Sequence, residues 1–172
     1  MFRILGPLEV VRDDVPVPLG PGKQRTLLTG LLLEPGRPVS TDRLATLLWD
    51  ERPPVSAMAN IRNYAARLRA LLTGTCGSRL VRRRPGYLLD ADPAELDVRQ
   101  FTSLAATGRR ALGEGRYDLA ASHLAAAMAL WHGAAAAEDV VRGDALSARL
   151  TAVDELRLAT LEDHADARLA QG

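Results

Sequence analysis

A chain of 172 residues with 47% hydrophobic and 25% charged residues has the composition of a folded protein of one or two domains and excludes a disordered one. No run approaches the roughly 18 apolar residues of a membrane span, and the opening MFRILGPLEVV lacks the basic lead and long apolar stretch of a signal peptide, so a cytoplasmic protein with no membrane partner is expected. The net charge of +1 conceals a division, because residues 1–90 carry +6 and residues 91–172 carry −5.

In chain order, FRIL, LEVVR and VPVPL are short β-branched segments separated by Gly-Pro and by Asp13-Asp14, and they read as three small antiparallel strands. GKQRTLLTGLLLEPG then sets Leu27, Leu28, Leu31 and Leu32 at helical spacing and stops at Pro35-Gly36. A second helix, VSTDRLATLLWD, has Ser40 or Thr41 as its N-cap and buries Leu44, Leu47, Leu48 and Trp49 before Asp50 to Pro54 break it. The third, Ala57 to Leu72, places Met58, Ile61, Ala65, Leu68 and Leu72 on one stripe, with Asn60, Asn63, Ala66 and Arg67 opposite and Arg62 and Arg69 on a flank.

Asn and Arg are suited to bidentate bonding with adenine and guanine edges, and small Ala lets a helix sit deep in a major groove. The alternative is an amphipathic surface helix whose polar side meets solvent. RLVRRRPGYLLD follows, with strands expected at Arg79 to Arg82 and Gly86 to Leu89 around a basic turn. Arg82, Arg83 and Arg84 cannot be buried without partners, since an unpaired buried charge costs several kcal/mol or more. No acidic residue lies between Glu51 and Asp90, an interval that carries eight arginines. Such a stretch suits a phosphate-rich partner; the alternative is a face neutralised by the acidic half of the same chain. A basic hairpin beside a groove-reading helix is a wing whose turn can enter the minor groove.

The second half reads as helical. Phe101, Leu104, Ala105 and Leu112 form one stripe; after the turn at Gly113 to Arg116, Tyr117, Ala120, Leu124, Ala127, Met128 and Trp131 form another, ending at Gly133. This suits a tetratricopeptide-type pair or any other αα-hairpin. Residues 133–147 read as a mobile loop, and Ser147 to Ala170 as a third helix carrying Leu150, Val153, Leu156, Leu161 and Leu169.

Chemistry is harder to find. GPGKQRT at 20–26 falls short of a phosphate-binding loop, which needs Gly at position 17, where Val17 stands, and Ser or Thr at Gln24. Lys23 and Arg25, with Thr41, are assigned instead as phosphate contacts on nucleic acid. His123, His132 and His164 lack partners at metal-ligand spacing, the acidic EDHAD at 162–166 reads as a solvated helix face, and Cys76 stands alone in a polar Gly/Thr/Ser loop. No metal site, cofactor or enzyme activity is expected.

FRILGPLEV, KQRTLLTGLLLEPGRPVSTDRLATLLW, RLRALL, LVRRRPGYLLD and DVRQFTSLAATGRRALGEGRYDLAASHLAAAMALWHG together resemble the Streptomyces antibiotic regulatory protein family over nearly the whole chain. The resemblance implies an α+β OmpR-type winged helix-turn-helix, a small antiparallel sheet with three helices and a C-terminal hairpin wing, over residues 1–92. A tetratricopeptide-like, all-α bacterial transcriptional activation domain would occupy residues 97–172. It also implies a transcriptional activator that binds direct repeats in double-stranded DNA near the promoter −35 region as side-by-side protomers, recruits RNA polymerase holoenzyme and switches on a secondary-metabolite gene cluster.

The residues expected at DNA are Asn60, Arg62, Asn63, Tyr64, Arg67 and Arg69 on the recognition helix and Arg82, Arg83 and Arg84 on the wing. Among these, Arg84 is expected in the minor groove, Arg82 on phosphates and Arg83 toward solvent or the acidic half. Asp50, Glu51 and Arg52 are the polymerase-contact candidates. Residues 97–172 are expected to pack on the winged domain and set protomer orientation, so that deleting them spares DNA affinity. A helical interaction adaptor, its winged domain reduced to a docking module, is the other reading.

Overall fold

The computed structural model describes residues 1–20, 22–73 and 79–172; Cys76 and its loop lie outside them. The first sheet is antiparallel, in the order β1 (Phe2–Arg3), β2 (Glu9–Arg12), β3 (Val15–Pro16), with Phe2 opposite Val10 and Val11 opposite Pro16. Asp13 and Asp14 turn the chain at φ 49° and 61°. Two successive left-handed residues match the twist of a tight hairpin, and Asp tolerates that conformation because its side chain bonds locally.

Helix α1 (Lys23–Leu32) is buried almost all round, including Gln24, Thr26 and Thr29 as well as its leucines. Such a helix needs neighbours on every side. Helix α2 (Thr41–Trp49) is capped by Ser40, whose Oγ accepts the Arg43 N–H at 3.1 Å. Trp49 is only half-buried. Helix α3 runs from Ala57 to Leu72, the bounds read from the sequence, and buries Ile61, Ala65, Leu68 and Leu72. Met58 corrects the expected stripe: it is exposed, and Ala57 is buried in its place. Laid out at 100° intervals, Ala57 and Met58 lie at equal distances on either side of the centre of the arc formed by Ile61, Ala65, Leu68 and Leu72, so periodicity alone does not choose between them.

The second sheet has the order β4 (Val39–Ser40), β6 (Gly86–Asp90), β5 (Arg79–Arg83). Strand β4 has no counterpart in the sequence reading, since two residues leading into a helix show no alternation. Its pairing brings Val39 opposite Tyr87 and Ser40 opposite Gly86. The β5–β6 hairpin is one residue longer on each strand than expected and closes through Arg84-Pro85, with Arg83 opposite Gly86 and Arg82 opposite Tyr87. Leu80, Tyr87 and Leu89 anchor it in the core.

After a 3₁₀ turn at Pro93–Glu95 come α4 (Asp97–Gly113), α5 (Tyr117–Met128) and α6 (Asp144–Leu169). Helices α4 and α5 pack closely through Ala105, Ala111, Ala120, Leu124 and Ala127. A Cβ on Gly108 would lie 2.5 Å from Leu124 Cγ, so only glycine permits this approach. Tyr117, Leu161 and Leu169, expected on apolar stripes, are exposed.

The largest correction concerns residues 133–147. Ala136, Ala137 and Val140 are buried in the same core as Phe2, Ile4 and Leu28. The Ala137 N–H donates to Ile4 O at 2.8 Å, the His132 N–H to Leu5 O at 2.9 Å and the Leu8 N–H to Asp139 Oδ1 at 2.7 Å. Helix α6 begins at Asp144, within the expected loop. The segment packs residue by residue without a helical or strand period, which is why pattern reading passes over it.

The two sequence halves therefore share a core. Asp97 ties them at the joint: Oδ2 accepts the Ile4 and Leu5 N–H groups at 2.8 and 3.0 Å and Oδ1 the Val98 N–H at 2.6 Å. Burial raises its pKa against the opposing pull of these three bonds. Arg149 Nη1 reaches Glu34 Oε1 at 2.7 Å and its Nη2 reaches Leu33 O at 3.2 Å, tying α6 to the end of α1.

Candidate nucleic-acid interface

The buried stripe of α3 fixes what its other face presents. With Ile61, Ala65 and Leu68 inward, Arg62, Asn63, Ala66 and Arg67 are exposed. Tyr64 and Asn60 are half-buried; Tyr64 packs against the core, and Asn60 Nδ2 donates to Ser56 Oγ at 3.1 Å. Next to this face stands the hairpin, whose Arg82, Arg83 and Arg84 are all exposed. Strand alternation puts Arg82 on the side of Leu80 and Arg83 on the other, while Arg84 occupies the turn.

Among the described residues, Arg62, Arg67, Arg82, Arg83 and Arg84 form no ion pair. The acidic half directs its carboxylates elsewhere. Asp139 pairs with Arg25, Asp163 with Arg109 at 2.7 Å, Glu138 accepts the Ala134 and Ala135 N–H groups, and Asp154 accepts the Ala136 N–H. Intramolecular neutralisation of the arginine face, the bland reading of its charge, has no ion pair behind it among the described residues. Five guanidinium groups on one helix and the adjoining hairpin make a surface suited to phosphate oxygens and guanine edges.

Four expected contacts besides Asn60 have other partners. Lys23 Nζ bonds the Leu48 carbonyl and lies 5.9 Å over the Trp49 ring, where it closes the end of α2. Arg25 bonds the Leu8 carbonyl at 3.0 Å and pairs with Asp139. Both side chains act as internal struts of the fold. Thr41 Oγ1 donates to Pro85 O at 2.8 Å. Arg69 Nε donates to Leu80 O at 2.9 Å, binding α3 to β5.

The polymerase-contact candidates divide in the same way. Asp50 ends α2 at φ 53° and accepts the Ala145 N–H on Oδ1 at 3.1 Å, so its carboxylate caps the N-terminus of α6. A Cβ on Gly143 would fall 1.9 Å from Asp50 Oδ2. Glu51 and Arg52 are exposed beside an open hollow of about 540 Å³ that Trp49, Asp50 and Asp144 also line. The structural use of Asp50, Arg69 and Thr41 was invisible in the sequence, since each depends on an acceptor or donor brought from a distant segment. Among the described residues, no three His, Cys, Asp or Glu side chains gather as a metal ion requires, and no helix is long and apolar enough to cross a membrane.

Residues 96–172 match the bacterial transcriptional activator domain. Transcriptional regulatory protein EmbR of Mycobacterium tuberculosis strain ATCC 25618 / H37Rv is 40% identical over 135 residues, which cover 77% of this chain and 35% of EmbR. Regulatory protein DnrI of Streptomyces peucetius is 32% identical over 179 residues, covering 99% of this chain and 65% of DnrI. The structure of M. tuberculosis EmbR in complex with a low affinity phosphopeptide aligns at a TM-score of 0.77 and 35% identity, over 97% of this chain and 43% of that one. The chain thus spans 35% of the length of EmbR. Small antiparallel sheets with three helices, a match of residues 96–172 to the bacterial transcriptional activator domain and relatives that are transcriptional regulators make this chain similar to regulators of the Streptomyces antibiotic regulatory protein type.

Proposed function

We propose that the protein is a sequence-specific DNA-binding transcriptional activator. The observation that carries this reading is the set of exposed arginines without an ion pair among the described residues, on α3 and the β5–β6 hairpin. In this reading residues 1–92 form a winged helix-turn-helix, α3 enters the major groove and the hairpin is its wing. Arg67 and Asn63 read base edges. Arg62 holds phosphates, and Arg84 enters the minor groove with Arg82 behind it on the backbone.

Residues 97–172 form the activation domain, with α4 and α5 as a tetratricopeptide-like pair. Protomers lie side by side on direct repeats near the −35 region, and Glu51 and Arg52, beside α3, face RNA polymerase. The regulated genes belong to a secondary-metabolite cluster.

The test is selection of duplexes from a random-sequence pool by the full chain, followed by footprinting. Enrichment of a short motif repeated in tandem, with protection of both the major groove and the adjoining minor groove, is expected. Recovery of the pool unchanged would remove sequence-specific binding and favour a docking module.

A further inference from the structure

We infer that Thr41 is a positioning residue for the hairpin and, through it, for the basic turn; this rests on the DNA-binding reading above. The first N–H groups of a helix have no intrahelical acceptor and must find one elsewhere. Thr41 is the first residue of α2, and its N–H is directed at the Pro85 carbonyl at 3.3 Å. Its hydroxyl donates to the same oxygen at 2.8 Å. Pro85 lies in the two-residue turn that carries Arg84. One carbonyl at the tip of the hairpin therefore takes two bonds from a single residue at the start of a core helix.

Two further contacts complete the fixation. Gly86, beside the turn, is flush against β4: a Cβ there would lie 1.8 Å from Val39 O, so any other residue would push β6 outward. At the opposite end of β5, Arg69 on α3 holds Leu80 O. The hairpin is gripped at its tip from α2, along β6 by β4 and at its base from α3. Its offset from the exposed face of α3 is set before DNA arrives, and arginines held in place lose less freedom on binding than arginines on a swinging flap.

The role differs from a phosphate contact by Thr41 itself, and the two leave different signatures. A neutral hydroxyl on a phosphate releases no counterion, whereas each guanidinium withdrawn from a phosphate makes the log–log salt slope shallower by about 0.9. The experiment measures binding of the 172-residue chain to one selected duplex at several salt concentrations, for the wild type, Thr41→Val, Thr41→Ser, Arg84→Ala, the Thr41→Val/Arg84→Ala pair and the Arg82/Arg83/Arg84 triple alanine variant. Thr41→Val should weaken binding and lower the slope, Thr41→Ser should restore both, and Thr41→Val should cost less in the Arg84→Ala background than in the wild type, where both Arg82 and Arg84 are displaced. Equal cost in both backgrounds with an unchanged slope would overturn the positioning role and put the hydroxyl on DNA; a silent Thr41→Val would overturn it also. A triple variant with the wild-type slope would remove the hairpin from the interface and sink the wing reading itself. Circular dichroism of the Thr41 variants, at a half-buried site and expected to match the wild type, separates these outcomes from misfolding.

Discussion

Charge alone did not separate the arginines of residues 1–90 by role; their partners do. Arg25 and Arg69 hold carbonyl groups of the same chain, whereas Arg62 and Arg67 stand exposed on α3. Arg67→Ala or Asn63→Ala should cost about 1–3 kcal/mol on a selected duplex and far less on a scrambled one, as loss of a bidentate base contact does. Titration of both duplexes checks this; an equal loss on each would make Arg67 a phosphate contact. At the joint, Asp97 has its pKa raised by burial above the ordinary 3.8. The folded chain then binds this proton more tightly than the unfolded one. Its contribution to stability is full below pH 3.8 and is lost as pH rises through the folded value. Urea midpoints across that window should fall more steeply for the wild type than for Asp97→Asn; parallel curves would show that Asp97 titrates alike in both states.

Helices with a clear apolar period were legible. The bounds of α3, the leucines of α1 and the cap of α2 all follow from spacing and side-chain chemistry. The basic hairpin was legible too, because Pro85-Gly86 marks the turn and Tyr87 and Leu89 mark its anchored strand. Strand β4 and the packed segment at 133–147 were not, since two residues carry no alternation and an Ala/Val plug carries no period. Within the hairpin, alternation divides the arginines. Alanine at Arg84 or Arg82 should each reduce the log–log salt slope by about 0.9, while Arg83→Ala leaves it nearly unchanged. A reversal between Arg82 and Arg83 would mean that the opposite face of the hairpin meets DNA.

The hydrophobic core runs through both the basic and the acidic half of the chain. Ala136, Ala137, Val140, Leu146 and Leu150 close over Phe2, Ile4 and the helices of the first half, and Asp139 and Asp50 add polar ties across the joint. Deleting residues 97–172 should therefore expose apolar surface and destabilise residues 1–92, contrary to the expectation that the deletion spares DNA affinity. Gly143→Ala is a milder probe: displacing the Asp50 cap should cost about 0.5–2 kcal/mol, read from the urea midpoint. A wild-type midpoint would show that the cap carries no stability. The central claim is that the arginine face of α3 and the hairpin reads DNA. Fluorescence anisotropy of the full chain on selected and scrambled duplexes, across several salt concentrations, tests it most directly. Tighter binding to the selected duplex, with a slope of about −0.9 for each phosphate neutralised, is the expected result; equal affinities with a flat salt dependence would contradict it.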